Sequence, residues 1–272
     1  MTDRYAVIGN PVAHSRSPEI HAAFARQSGD DIEYVRLIAP LDGFRDCVER
    51  LRTAGGKGAN VTLPFKLEAC RLATRLSDRA EHAQAANTLA FSGDEIFADN
   101  TDGVGLTRDI EQNLGCAIAK QRVLLMGAGG AARGVLQPLL VRQPQRLVIA
   151  NRTRERAESL ARHFARWGNV EPSDYAGLDD MRFDIVINAT SASVSGDVPP
   201  LPDNVFAPGS LGYDMMYGRE VTPFLRFART RGAAQLADGL GMLVEQAAES
   251  FFIWRGKRPE TAPVIAKLRS ED

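Results

Sequence analysis

Short apolar runs alternate with longer amphipathic stretches along almost the whole chain. A short apolar run bounded by turn residues reads as a strand buried on both faces. Apolar positions three and four residues apart read as helix. On this reading the N-terminal part predicts strands at Tyr5–Gly9, Ile32–Ile38 and Ala59–Val61. Helices are predicted at Pro18–Gln27, Leu41–Ala54 and Pro64–Ala73, with a Gly55–Gly58 turn before the third strand. A hairpin through Ser92-Gly93-Asp94 is expected to join Leu89–Phe91 to Ile96–Ala98, followed by a helix over Gly103–Gln112.

A second series begins at Val123–Met126, a run apolar at every position. Gly127, Gly129 and Ala132 follow in a G-x-G-x-x-A spacing, and an amphipathic segment covers Arg133–Val141. Strand, glycine turn and helix is the setting that a dinucleotide fingerprint requires. The glycines let the turn tighten and the backbone approach a pyrophosphate, and the free N–H groups of the helix start then face that anion. A plain strand-to-helix turn would show the same glycines. Further strands are predicted at Arg146–Ala150, Phe183–Asn188, a run ending at Gly212–Met215, and Leu236–Ala237. Gly241–Gly256 has a helical stripe of Met242, Leu243, Gln246, Ala247, Ser250, Phe251 and Trp254, and Ala262–Leu268 reads as a short last helix. The expected fold class is α/β: an N-terminal α/β substrate domain at 1–102 completed by 240–272, and a Rossmann-like doubly wound domain at 103–239.

Composition changes this picture little. A chain of 272 residues with 44% hydrophobic and 25% charged residues has room for two modest cores. A net charge of −1 gives no basis for a nucleic-acid or acidic-membrane partner. No apolar stretch is long enough to span a bilayer, and the N-terminus enters a strand pattern without a leader-like run. Three scattered cysteines, Cys47, Cys70 and Cys116, fit a reducing cytoplasm better than a disulfide framework. They form no metal-ligand spacing with the histidines, so no metal is expected.

Three polar clusters each sit where a strand gives way to a helix, the edge where open α/β sheets bind ligands. The first is Gly9-Asn-Pro-Val-Ala-His-Ser-Arg-Ser-Pro18. Ser17 before Pro18 reads equally as a helix cap, whereas Ser15 has no such explanation. The second is Gly58–Lys66, which puts Lys66 in a first helical turn, the unfavourable end for a cation. The third is Asn87 with Thr88, followed after the hairpin by Asp102, itself also readable as a cap. In the second series, Asn151-Arg-Thr-Arg-Glu-Arg156 stands where an NAD site would carry an acidic residue. Guanidinium groups bind a 2′-phosphate that a carboxylate would repel, so the turn argues for NADP. Arg162 and Arg166 are explained as a solvated helix face.

Taken in order, these motifs resemble the bacterial shikimate dehydrogenases. The resemblance runs from Tyr5 to the C-terminal helix and includes Asn100-Thr-Asp-Gly103, Asn188-Ala-Thr190, Tyr213-Asp-Met215 and Asp238-Gly-Leu-Gly-Met242. It implies NADPH-dependent reduction of 3-dehydroshikimate to shikimate for aromatic amino-acid (chorismate) biosynthesis, by two α/β domains with a cleft between them. It implies that Ser15 and Ser17 hold the substrate carboxylate, and that Thr62, Asn87, Tyr217 and Gln246 take ring hydroxyls or the carboxylate. Lys66 and Asp102 are implied as the catalytic pair. Gly127, Ala128, Gly129, Gly130 and Ala131 are implied at the pyrophosphate, and Asn151, Arg152, Thr153 and Arg156 at the 2′-phosphate. Met215 and Gly239 are implied beside the nicotinamide, with a cofactor contact near Asp78. Ser193-Val-Ser-Gly196 and Met216 depart from the commoner family pattern. The alternatives are an NAD-using quinate/shikimate dehydrogenase, a catalytically inactive ligand-sensing homologue and a folate dehydrogenase. A homodimer is an open option, and no nucleic-acid or membrane partner is expected.

Overall fold

The computed structural model of the chain describes residues 2–190 and 197–271. Two units divide it, Met1–Gly105 with Val244–Glu271, and Leu106–Leu243. The first is built on β1 (Asp3–Gly9), β2 (Ile32–Ile38), β3 (Gly56–Val61), β4 (Arg75–Leu76), β5 (Thr88–Ser92) and β6 (Glu95–Asp99), in the order β2-β1-β3-β5-β6-β4. β1 runs parallel to β2 and β3, while β5 is antiparallel to β3 and β6. Helices α1 (Ser17–Ser28), α2 (Phe44–Thr53), α3 (Lys66–Leu72) and α4 (Asp78–Ala83) fill the connections. Ala6, Ile8, Phe44, Val48, Val61, Phe65 and Leu89 form one continuous core.

Two expectations are corrected here. The glycine-rich segment predicted as a turn lies mostly inside β3. A Cβ on Gly56 would stand 2.7 Å from the Leu51 side chain, and one on Gly58 2.5 Å from both the Leu89 carbonyl oxygen and Trp254 Nε1. Glycine is needed there for close packing, not for turning. Helix α2 starts at Phe44 rather than Leu41, because Pro40–Gly43 closes a turn through the Gly43 N–H and the Pro40 carbonyl at 3.0 Å.

Helix α5 (Asp102–Arg108) starts in the first unit, widens into a π-helical turn at Asp109–Asn113 and leads into the second unit. Its sheet holds β7 (Arg122–Met126), β8 (Arg146–Ala150), β9 (Glu171–Ser173), β10 (Phe183–Asn188), β11 (Phe206–Asp214) and β12 (Gln235–Ala237). The order is β12-β11-β10-β7-β8-β9, and every pairing is parallel. This is the doubly wound arrangement, with the first strand central and the chain reversing direction between β7 and β10. Along β7, Val123 and Leu125 enter one core while Leu124 and Met126 enter another on the opposite face. Burial on both faces is why the strand reads as an unbroken apolar run. Helices α6 (Gly130–Val141), α7 (Arg154–Phe164) and α8 (Pro223–Thr230) cover the sheet. Thr222 caps α8 by accepting the Leu225 N–H at 3.3 Å.

The chain then returns. Helices α9 (Leu240–Arg255) and α10 (Ala262–Glu271) place Val244 onward in the first unit. Trp254 stacks on Tyr5 at 4.5 Å and donates its indole N–H to the Leu89 carbonyl at 2.9 Å. Phe251 meets Phe24 edge-on at 5.8 Å. Among the described residues, no helix is long and apolar enough to cross a membrane, and no group of three or more His, Cys, Asp or Glu could hold a metal ion.

Candidate active site

Two strand-to-helix turns bring the site together in the first unit. β3 ends at Val61 and α3 begins at Lys66. β6 ends at Asp99 and α5 begins at Asp102. Lys66 Nζ donates to Asp102 Oδ2 at 2.5 Å, with side-chain exposures of 25% and 10%. The pair is thus open to a ligand yet mostly shielded from water. The carboxylate also explains how a lysine is tolerated at a helix start, where the backbone dipole opposes it. Asp102 therefore serves as more than the helix cap its position allowed.

Asn87 fixes the other oxygen of that carboxylate. Its Nδ2 donates to Asp102 Oδ1 at 2.8 Å and lies 3.0 Å from Thr101 Oγ1 and 3.2 Å from Gln246 Oε1. Its Oδ1 accepts from the Thr101 N–H at 2.9 Å, from the Thr101 hydroxyl at 3.1 Å and from the Thr88 hydroxyl at 3.1 Å. Donors on one side and a carboxylate on the other leave a single orientation for the amide. Behind it, Thr88 and Ser250 hydroxyls meet at 2.7 Å, and Asn60 Nδ2 donates to Ser250 at 2.9 Å. Asn60 Oδ1 accepts from the Tyr34 hydroxyl at 2.7 Å and from His21 Nε2 at 3.1 Å. Since that oxygen can only accept, His21 carries its proton on Nε2. Burial holds the His21 pKa down at about 3, so the ring is neutral. Burial likewise keeps the Tyr34 phenol protonated.

The sequence did not single out Asn60, Thr101 or Ser250. Ser250 stands four residues after Gln246 on the α9 stripe, so its spacing carried the signal, but its apolar neighbours made it look like core. Gln246, 8% exposed, lies on the same helix and accepts from Asn87 and from Thr101.

In the loop after β1, the Ser15 hydroxyl donates to Ser17 Oγ at 3.1 Å and accepts the Ser17 N–H at 3.3 Å. Ser17 is the first residue of α1, and Arg16 occupies the cap position without a capping bond. The cap reading of Ser17 is therefore replaced: Ser15 is the serine that satisfies a free helix N–H. Thr62 packs its methyl against Gly9, where a Cβ would lie 2.4 Å away. Asp78 is exposed at the start of α4, in this first unit.

The second unit carries the remaining predicted positions. Gly127 has φ +105°, and a Cβ there would approach the Ala189 carbonyl oxygen to 3.1 Å. Ala128 is half-buried, whereas Gly129, Gly130 and Ala131 are exposed at the start of α6 with open space around both glycines. Exposed N–H groups at a helix start, with room above them, suit a pyrophosphate. At the end of β8, Asn151 Nδ2 donates to the Thr153 carbonyl at 2.8 Å. Arg154 pairs with Glu158 at 3.1 Å, while Arg152 and Arg156 are exposed and form no ion pair among the described residues. Two uncommitted guanidinium groups and no acidic side chain at the strand end fit a dinucleotide bearing a 2′-phosphate.

Met215 and Gly239 touch through their backbones. A Cβ on Gly239 would fall 2.2 Å from the Met215 carbonyl oxygen, and the Gly239 N–H reaches the Met216 carbonyl at 3.0 Å. The fully buried Asp214 ties this region together, accepting from Asn188 Nδ2 at 3.1 Å, the Thr222 hydroxyl at 2.6 Å and the Met216 N–H at 3.0 Å. Asp214 is the last residue of β11, and its place in Tyr213-Asp-Met215 gave no sign of these three partners. Tyr217 follows, half-buried. Ser193-Val-Ser-Gly196 lies outside the described residues.

The model of the shikimate dehydrogenase substrate-binding domain matches residues 7–89. That of shikimate/quinate 5-dehydrogenase matches 109–195, and that of the shikimate 5′-dehydrogenase C-terminal domain matches 239–269. A shikimate dehydrogenase (NADP(+)) of Nitrosospira multiformis is 63% identical over 270 residues, covering 99% of this chain and 98% of its own. The crystal structure of an Ael1 enzyme from Pseudomonas putida superposes with a TM-score of 0.94 at 51% identity, covering 98% of each chain. A shikimate 5-dehydrogenase from Thermus thermophilus, solved in complex with NADP(H) and shikimate, gives 0.88 at 30% identity and covers 99% of each chain. With this likeness running the length of the chain, and a paired lysine and aspartate where the motifs place them, the chain belongs to the shikimate dehydrogenase family.

Proposed function

We propose that the protein catalyses the reversible, NADPH-dependent reduction of 3-dehydroshikimate to shikimate. In this reading 1–102 with 240–272 is the substrate domain and 103–239 the NADP domain. The observation that carries it is the Lys66–Asp102 pair, held by Asn87 in one orientation and open on one side. An inactive sensor would have no use for that ammonium.

NADPH, when bound, supplies the hydride. Lys66 Nζ holds a proton within reach of a ketone oxygen placed beside it, and gives it up as negative charge develops there. In the oxidation direction the neutral amine takes the proton from the alcohol. Asp102 keeps Nζ in place through Oδ2 while Asn87 holds Oδ1. Thr62, Asn87, Gln246 and Tyr217 offer hydroxyl and amide groups for a polyhydroxylated ring, and Ser15 with Ser17 for its carboxylate. The N–H groups at Gly129–Ala131 take the pyrophosphate, with Gly127 and Ala128 shaping the turn. Asn151, Arg152, Thr153 and Arg156 take the 2′-phosphate. Met215 and Gly239 shape the nicotinamide end, and Asp78 is a further cofactor contact. All three cysteines are free thiols, which fits a cytoplasmic setting. A homodimer is a matter for gel filtration, since these roles need no second copy.

The test is an assay of the purified protein with shikimate and quinate, each with NADP+ and NAD+. Fastest turnover is expected with shikimate and NADP+. Preference for quinate with NAD+, or no turnover, overturns the proposal.

A further inference from the structure

One guanidinium group outside the residues assigned above is built into the loop that carries the serine pair. Arg36 projects from the edge strand β2, and its Nε and Nη2 both donate to the Ser15 carbonyl oxygen, at 2.9 and 2.6 Å. The Ser15 N–H is donated to the Val12 carbonyl at 3.1 Å. Both backbone groups of Ser15 are thus committed, and its hydroxyl stands beside that of Ser17. The neighbouring Arg16 is already engaged with Glu19 at 3.3 Å and Glu271 at 3.0 Å. Arg36 has one acidic contact of its own, Glu19 at 3.4 Å, and with side-chain exposures of 35% and 54% water screens that pair.

Two serine hydroxyls are neutral dipoles. A carboxylate resting on them alone would keep its charge uncompensated. Arg36 supplies what they lack. It holds the Ser15 carbonyl oxygen on two N–H donors and so fixes that peptide. It also brings a positive charge, partly screened by water at 35% exposure, to the residue that carries one of the two hydroxyls. A loop needing only an anchor would be served by one neutral donor.

We propose that Arg36 is the positioning and specificity-determining residue of an anion site at Ser15 and Ser17: it orients the Ser15 peptide and supplies the charge that makes a carboxylate, rather than its neutral ester, the preferred group there. The inference rests on the reading that this serine pair receives the substrate carboxylate.

The experiment compares wild-type protein with Arg36→Gln and Arg36→Lys, using shikimate and its methyl ester, by steady-state kinetics and by calorimetric binding. Loss of the charge and of the peptide anchor beside the carboxylate predicts a KM for shikimate about tenfold higher in Arg36→Gln. kcat should stay within about twofold and KM for NADP+ should not move, since an attraction felt equally in ground and transition states acts on KM. The preference for shikimate over its methyl ester should narrow, and Arg36→Lys should recover part of the loss. An unchanged KM for shikimate, a KM for NADP+ that rises in step, or no recovery with lysine overturns the proposal. Wild-type protein that binds shikimate over the ester without oxidising it sinks the catalytic reading but supports the anion site. Wild-type protein that binds neither sinks both.

Discussion

At the scale of single residues, Lys66 and His21 make opposite demands on their surroundings. Lys66 works by being reachable. Lys66→Ala should lower kcat by about 10²–10⁴-fold, the range of one positioned general acid, with little loss of stability because the Asp102 left behind still has Asn87. Following NADPH absorbance checks the first part and thermal unfolding the second. Normal turnover would remove Lys66 from the mechanism. His21 works by being unreachable. Its folded pKa of about 3 lies below the ordinary 6.5. Above pH 6.5 neither state is protonated and there is no penalty. As pH falls below that value the unfolded chain takes up a proton the folded one refuses, so stability drops until about pH 3. The slope is at most about 1.4 kcal/mol per pH unit. Urea unfolding at about pH 7.5 and 5 should therefore show wild-type protein losing roughly 2 kcal/mol more than His21→Gln. Lys66 at a strand-to-helix turn was conspicuous in the sequence, Asp102 read equally as a cap, and their pairing came from the family resemblance. Asn60 and Ser250 were not conspicuous, since a small polar group inside a buried stripe declares itself only when its partners are seen.

At the scale of elements, what counts is how strands hand over to helices. The turn from β7 to α6 was legible because a strand buried on both faces and a glycine spacing are both local properties. β4 and β9, at two and three residues, are too short to show a period. The widening of α5 into a π turn is a shift in hydrogen-bond partner, with no signature in composition. Two glycines separate packing from ligand approach. Gly239→Ala would set a methyl against a backbone oxygen that cannot step aside, whereas Gly129→Ala meets nothing within 4 Å. Thermal melts should show Gly239→Ala several degrees lower and Gly129→Ala near wild type, a contrast of at least about 1 kcal/mol. Equal melts would mean that the Met215–Gly239 contact is slack. At the end of β8, Arg152→Ala should raise KM for NADPH about tenfold or more while leaving KM for NADH near its starting value. Similar changes for both cofactors would argue against 2′-phosphate recognition there.

At the scale of the whole molecule, the first unit is assembled from both ends of the chain. Local pattern marked α9 and α10 as helices but carried no information on which sheet they join. That part came from the family resemblance. The return is a large energetic commitment, because Phe251 is fully buried and packs against His21 and Phe24. Phe251→Ala should cost about 3–5 kcal/mol of unfolding free energy, which urea titration measures. A loss under about 1 kcal/mol would mean the returning helix contributes little to that core.

The indole of Trp254, stacked on Tyr5 near His21, has an optical consequence. The chain has two tryptophans, and they fall in different units: Trp254 in the first, Trp167 beneath Arg166 in the second. Each unit therefore carries its own fluorophore, and replacing one with phenylalanine silences that half. In Trp167→Phe, emission reports the substrate-side core alone, and shikimate should move its unfolding midpoint. In Trp254→Phe, emission reports the other unit, and NADP+ should move that midpoint. Midpoints that coincide in both variants under every condition would show the two halves melting as one.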